Sequence, residues 1–112
     1  MNMKNIETEI FELISFGGNA RALAFDALKE AENENFSEAK KLMEEAEAEL
    51  NKAHNTQTKL IQSEINGEEF EKSLLLIHAQ DHLMTAISEQ GLIRHMIRIL
   101  EKVEEKMKGE DL

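Results

Sequence analysis

The chain has no cysteine, so neither a disulfide framework nor a thiolate metal site can be built from it. Proline is equally absent, and only five glycines punctuate 112 residues, so little interrupts helix. Trp and Tyr are missing, and Val and Thr are sparse. With Ala, Leu, Glu, Lys and Met dominant, the composition speaks for helix and against sheet. The longest apolar runs, Ala22–Phe25 and Leu74–Ile77, are four residues long, too short for a membrane span or a signal-peptide core. A soluble protein that stays in the cytoplasm is expected, and the lack of cysteine agrees with a reducing compartment. Basic side chains are scarce too: 13 Lys and Arg stand against 23 Asp and Glu, a formal net charge of −10. Gripping a phosphate backbone needs clustered cations, so nucleic-acid binding is not expected. The length suits one domain, residues 1–112, with a single modest core.

What is present is helical periodicity. Ile6, Ile10, Leu13, Gly17, Ala20, Ala24, Ala27 and Ala31 recur at helical spacing and predict a first helix over about residues 4–33. Asn33-Glu34-Asn35 breaks it, and Asn35 with Glu38 has the spacing of a capping box for the next helix. The second helix, about 35–66, carries Phe36, Ala39, Leu42, Ala46, Leu50, Ala53, Gln57, Leu60 and Ile61 on one side and stops at Asn66-Gly67. A third follows over about 69–108. Short connections make neighbours antiparallel, so the expected fold is an all-α, up-down-up three-helix bundle.

Along the third helix, steps of three and four pick out Leu74, Ile77, Asp81, Met84, Ser88, Leu92, His95 and Ile99. Asp81, Ser88 and His95 are polar for a closed core, and no Lys or Arg lies within a turn of Asp81. A buried, unpaired carboxylate is normally paired, protonated or bound to metal. Self-association would bring copies of Asp81 together on a symmetry axis; otherwise Asp81 sits at a wet bundle edge. The small residues of the first helix point the same way, since they permit close helix approach. The pattern alone does not choose between these.

The same segment holds the chemistry. His78 is three and four residues from Asp81 and His82, so the three are neighbours on a helix. Imidazole takes up and releases groups near neutral pH. A phosphoacceptor histidine needs one exposed ring nitrogen and nearby donors for phosphoryl oxygens, which Gln80 and His82 can supply. Zinc on His78, Asp81 and His82 is a rival, weakened because ligands on one helix face rarely close a tetrahedron. A packing bundle with an adaptor role is a second rival. Gly17-Gly18-Asn19 lacks the spacing of a nucleotide loop and suggests tight packing or a local bulge. His54 and Gln57 are expected in a buried polar layer, and His95 at an interior or interface position.

Gly18-Asn19-Ala20-Arg21, the segment from Phe36 to Leu50, then Ala53-His54-Asn55-Thr56-Gln57-Thr58, and above all His78-Ala79-Gln80-Asp81-His82-Leu83-Met84-Thr85 carry a resemblance over nearly the whole chain. The sequence resembles enzyme IIA of the lactose/cellobiose (N,N′-diacetylchitobiose) family of the phosphoenolpyruvate-dependent sugar phosphotransferase system. The resemblance implies that His78 is phosphorylated as a tele-phosphohistidine, with Gln80 and His82 in support. It implies the histidine phosphocarrier protein as donor and a cysteine of enzyme IIB as acceptor. It further implies a nine-helix homotrimer in which three copies of Asp81 share one structural Mg2+, with His78 in a groove between subunits. The sugar would be a β-linked disaccharide, cellobiose or chitobiose in preference to lactose.

Overall fold

In a computed structural model, residues 3–110 are described, and they form three α-helices in an up-down-up bundle. These are α1 (Glu7–Glu32), α2 (Phe36–Ile65) and α3 (Leu74–Glu110). The molecule is a rod of 73 × 20 × 20 Å. Most of that length is α3, whose 37 residues span about 55 Å at 1.5 Å each.

The face predicted for α1 is the one it buries: Ile6 just ahead of it, then Ile10, Leu13, Gly17, Ala20, Ala24, Ala27 and Ala31. The small residues are consumed within the chain. Ala24, Ala27 and Ala31 pack with Ala39 and Ala46 of α2 and with Ile93 and Ile97 of α3, so they are not a surface reserved for self-association. Short side chains let the backbones approach, and dense packing replaces bulk at this end. Larger residues fill the other end, where Leu13, Leu60, Phe70, Leu76 and Leu83 meet. Leu13 and Leu83 are the largest fully buried side chains. Leu83→Ala is therefore expected to cost about 2–5 kcal/mol, read as a lower denaturant midpoint with an unchanged slope.

Of three boundaries, the cap of α2 and the start of α3 differ from the sequence expectation, and the stop of α2 at Asn66-Gly67 agrees with it. Asn35 occupies the position before α2 but makes no capping bond; its Nδ2 instead donates to Glu30 Oε2 at 2.9 Å. Gly67 follows α2 with φ +89°, the left-handed conformation that suits glycine. The third helix begins at Leu74, not near 69. Lys4 N–H donates to the Glu69 carbonyl at 2.7 Å in a parallel bridge to Phe70, and Phe70 is drawn into the core. Ser73 then starts α3, its hydroxyl accepting from Leu76 N–H at 3.1 Å as a helix cap. The Ser63 hydroxyl and the Lys4 ammonium lower the Glu68 carboxyl below its usual range, which further ties the N-terminal segment to the α2–α3 turn. This knot fixes where α3 starts, and His78 lies one turn beyond.

Helix α1 packs along both partners, whereas α2 and α3 touch each other far less. Two grooves run between α2 and α3. One, of about 270 Å³, is lined by Leu60, Ile61, Phe70, Leu76, Ile77 and Gln80. The other, of about 360 Å³, lies toward the α1–α2 turn and includes Phe36, Met43, Arg94, Ile97 and Arg98.

Candidate functional site

Helix α3 is apolar on two faces. Its inner face is Leu76, Ala79, Leu83, Ala86, Ile93 and Ile97, with Gln90 buried among them. The stripe that periodicity selects is the other one. Leu74, Ile77, Asp81, Met84, Ser88, Leu92, His95 and Ile99 are all exposed in the single chain. Met96, Val103 and Met107 extend that outward face. Asp81 is thus not buried within the protomer, and its burial is a matter for assembly. Eight large apolar side chains on one face exceed what an isolated soluble chain normally leaves in water.

His78 stands at the edge of this stripe and is exposed. Its ring lies nearly parallel to that of His82, with centroids 6.2 Å apart and planes 18° from one another. His82 is half-buried because it leans on α1 at Gly17 and Gly18: a Cβ at Gly17 would stand 3.4 Å from His82 Cδ2, and one at Gly18 3.5 Å from His82 Nε2. The glycine pair, legible beforehand only as a mark of tight packing, is the seat of an imidazole. Helix α1 remains regular through it, with no bulge.

Gln80 belongs to the opposite flank of α3. Its Oε1 accepts from Gln57 Nε2 of α2 at 2.7 Å, which leaves its own amide N–H groups as donors facing the α2–α3 side. Within one chain Gln80 and His82 therefore serve different sides of α3. The expected buried layer of His54 and Gln57 is corrected. His54 is exposed, Gln57 is half-buried, and the buried polar residue of that stretch is Thr56, whose hydroxyl donates to Glu12 Oε2 at 2.7 Å. His95 is likewise exposed in the single chain. Two residues on a helix are about 200° of rotation, which is the whole error.

Sequence reading also missed an ion pair that closes this flank. Arg21 of α1 pairs with Glu89 of α3, Nε to Oε1 at 2.9 Å and Nη2 to Oε2 at 3.3 Å. Glu89 is eleven residues past His78, about three turns, so its place on the same flank was available from spacing. Among the described residues no group of three or more His, Asp or Glu side chains converges to hold a metal within one chain, so the single-chain site on His78, Asp81 and His82 is not assembled.

The model of the lactose/cellobiose-specific IIA subunits of the sugar phosphotransferase system matches residues 8–101. The chain belongs to this family. It is 42% identical over 103 residues to the lichenan-specific phosphotransferase enzyme IIA component of Bacillus subtilis, covering 92% of this chain and 94% of that one. The crystal structure of the cellobiose-specific enzyme IIA of Bacillus anthracis superposes with a TM-score of 0.88 at 46% identity, covering 94% of this chain and 96% of that one. The chitobiose enzyme IIA of Escherichia coli, solved in complex with HPr, gives a TM-score of 0.76 at 39% identity, over 90% of this chain and 98% of that one. This enzyme IIA is accordingly a phosphotransferase component that works through a phosphohistidine. Among its described residues no helix is long and apolar enough to cross a membrane.

Proposed function

We propose that this enzyme IIA takes phosphoryl from the histidine phosphocarrier protein onto His78 and passes it to a cysteine of enzyme IIB. The observation that carries this reading is the His78 imidazole itself, exposed near the start of α3 and stacked on a half-buried second histidine. The HPr complex of the E. coli relative supports the donor. Relatives named for lichenan, cellobiose and chitobiose are 39–46% identical, against 36–38% for relatives named for lactose, which supports a β-linked disaccharide of the cellobiose or chitobiose type over lactose as the sugar taken up. The relay works in the cytoplasm, with no insertion into the membrane.

In the first step the lone pair of His78 Nε2 attacks the phosphorus of the donor phosphohistidine. A new N–P bond forms, the donor N–P bond breaks, and its electron pair returns to the donor imidazole. In the second step a thiolate of enzyme IIB attacks the same phosphorus, and the pair of the N–P bond returns to Nε2. Such transfers rest on in-line positioning and on stabilising charge on the phosphoryl oxygens, not on covalent help from the protein. His82, parallel to His78, offers one donor and limits the ring's rotation. Gln80 offers another from the α2–α3 groove of a neighbouring copy. An acidic protein with no clustered cation beside His78 does not trap the group, which suits a carrier.

The outward face of α3 suits a parallel homotrimer of nine helices. Each large apolar side chain buried there contributes about 1.5–3 kcal/mol. Eight per chain, already partly covered within the protomer, supply stabilisation of the same order as an association cost of about 4–15 kcal/mol. Assembly on this face gathers three Asp81 carboxylates on one axis. Their oxygens are hard donors of the kind Mg2+ accepts, and one such ion per trimer would offset their mutual repulsion. If so, Asp81→Leu, which removes repulsion and metal together, should give a trimer at least as stable as the parent and indifferent to chelators. The parent should melt lower after chelation. A melt that is unchanged by chelator in the parent, or a dissociated Leu variant, contradicts the shared ion.

The relay as a whole is tested by reconstitution. With phosphoenolpyruvate, enzyme I, HPr and enzyme IIB, labelled phosphate should appear on IIB only when this chain is present. A IIB labelled equally without it would assign the relay elsewhere.

A further inference from the structure

Gly18 faces one thing only. A Cβ built on it would stand 3.5 Å from His82 Nε2, and within 4 Å it would meet no other part of α2 or α3. Gly17 is different: a Cβ there would meet His82 Cδ2 at 3.4 Å but also the Leu83 backbone at 3.8 Å, inside the core. The Nε2–Cδ2 edge of His82 thus lies in a notch that exists because two successive α1 residues lack side chains. Glycine in a helix interior is otherwise unfavourable, since its backbone has more freedom to lose. Side chains on a helix lean toward its N-terminus, so a His82 ring seated in the notch is held over the turn that bears His78. The parallel rings, 6.2 Å apart, are the outcome.

We infer that Gly18 is a positioning residue for phosphoryl transfer: its small size, with no bulk beyond a Cβ, leaves the space in which the His82 ring rests on α1 and thereby holds His82 in register with His78. The inference rests on the reading of His78 as acceptor and deepens it. The acceptor needs a fixed ring plane for in-line attack, and displacement of a positioning group by about 1 Å can cost on the order of a hundredfold in rate. With Nε2 turned to α1, the Nδ1 edge of His82 is the one left to donate toward a phosphoryl group on His78.

The test is the rate of phosphoryl transfer from phosphorylated HPr, measured for Gly18→Ala and Gly18→Leu with His82 present and with His82→Ala. Alanine adds a methyl at ordinary contact distance and should leave the rate within about twofold, because 3.5 Å requires no displacement. Leucine carries branched bulk beyond that Cβ, competes with the ring for the same space, and should slow transfer by about ten- to a hundredfold. In the His82→Ala background the same leucine should have no further effect, since the space it needs is vacant. The pH profile of transfer should shift for Gly18→Leu in the same direction as for His82→Ala. Helicity and sedimentation of the variants should match the parent, because α1 gains a residue of better helix propensity. Unchanged transfer by Gly18→Leu overturns the inference, as does equal slowing with and without His82, which would put residue 18 in contact with HPr instead. Normal phosphorylation of a His78→Ala variant would be a separate failure, that of the acceptor assignment.

Discussion

With His78 as the proposed acceptor, His78→Ala should abolish phosphoryl uptake and leave the protein folded. The ring is exposed, and the alanine that replaces it remains in a regular stretch of α3 with better helix propensity. No core contact is lost on the inner face, which Leu76, Ala79 and Leu83 form on either side of it. The expected melting temperature is within a few degrees of the parent, as for most surface substitutions. The expected transfer rate from phosphorylated HPr is zero within detection, because the proposed relay has His78 as its one acceptor. His82→Ala, by contrast, should retain an acceptor and only slow its loading. A pair of variants in which the two roles are exchanged would reverse the assignment.

If the proposed trimer assembles on the outward face of α3, Ile99→Lys should convert it to monomers. Ile99 lies 18 residues, about five turns, beyond Asp81 on the same line of α3, and it is 60% exposed in the single chain. The protomer therefore tolerates a lysine there. A trimer would gather three ammonium groups on its axis in a low-dielectric seam without a carboxylate in phase, and each buried charge costs several kcal/mol after relaxation. Sedimentation equilibrium should fall from about three times the 12.8 kDa chain to the chain mass, with helicity preserved. If the variant keeps the parent's mass, the outward stripe of α3 is not the seam.

How much of this was legible in the sequence varies with the helix. On α1 the predicted members are the buried ones even though Phe11 and Phe25 stay exposed, because the small residues of that stripe are what let α1 lie close against both other helices. On α3 two stripes compete. Leu74, Ile77 and Ile99 are as apolar as Leu76, Leu83 and Ile97, and periodicity reports that both faces exist without saying which partner each meets. The start of α3 was misjudged because Glu69-Phe70-Glu71-Lys72 has no helix breaker. A long-range bond from Lys4 N–H and the burial of Phe70 hold it extended, and Ser73 was the one local signal of the true start. His54 was misplaced because a polar residue among apolar ones invites an inward reading, whereas Thr56, two positions on, turns inward to reach Glu12. The histidine segment was legible as chemistry. Its seat on Gly17 and Gly18 was not, because no spacing rule links residues on α1 to a ring on α3.

The most direct test of the central claim is to phosphorylate the protein with phosphoenolpyruvate, enzyme I and HPr, and to map the added group by tandem mass spectrometry. One acid-labile, base-stable phosphoryl group per chain on His78, lost on addition of enzyme IIB, is the predicted result. A phosphoryl group on His82, His54 or His95 in place of His78, or none at all, would contradict it.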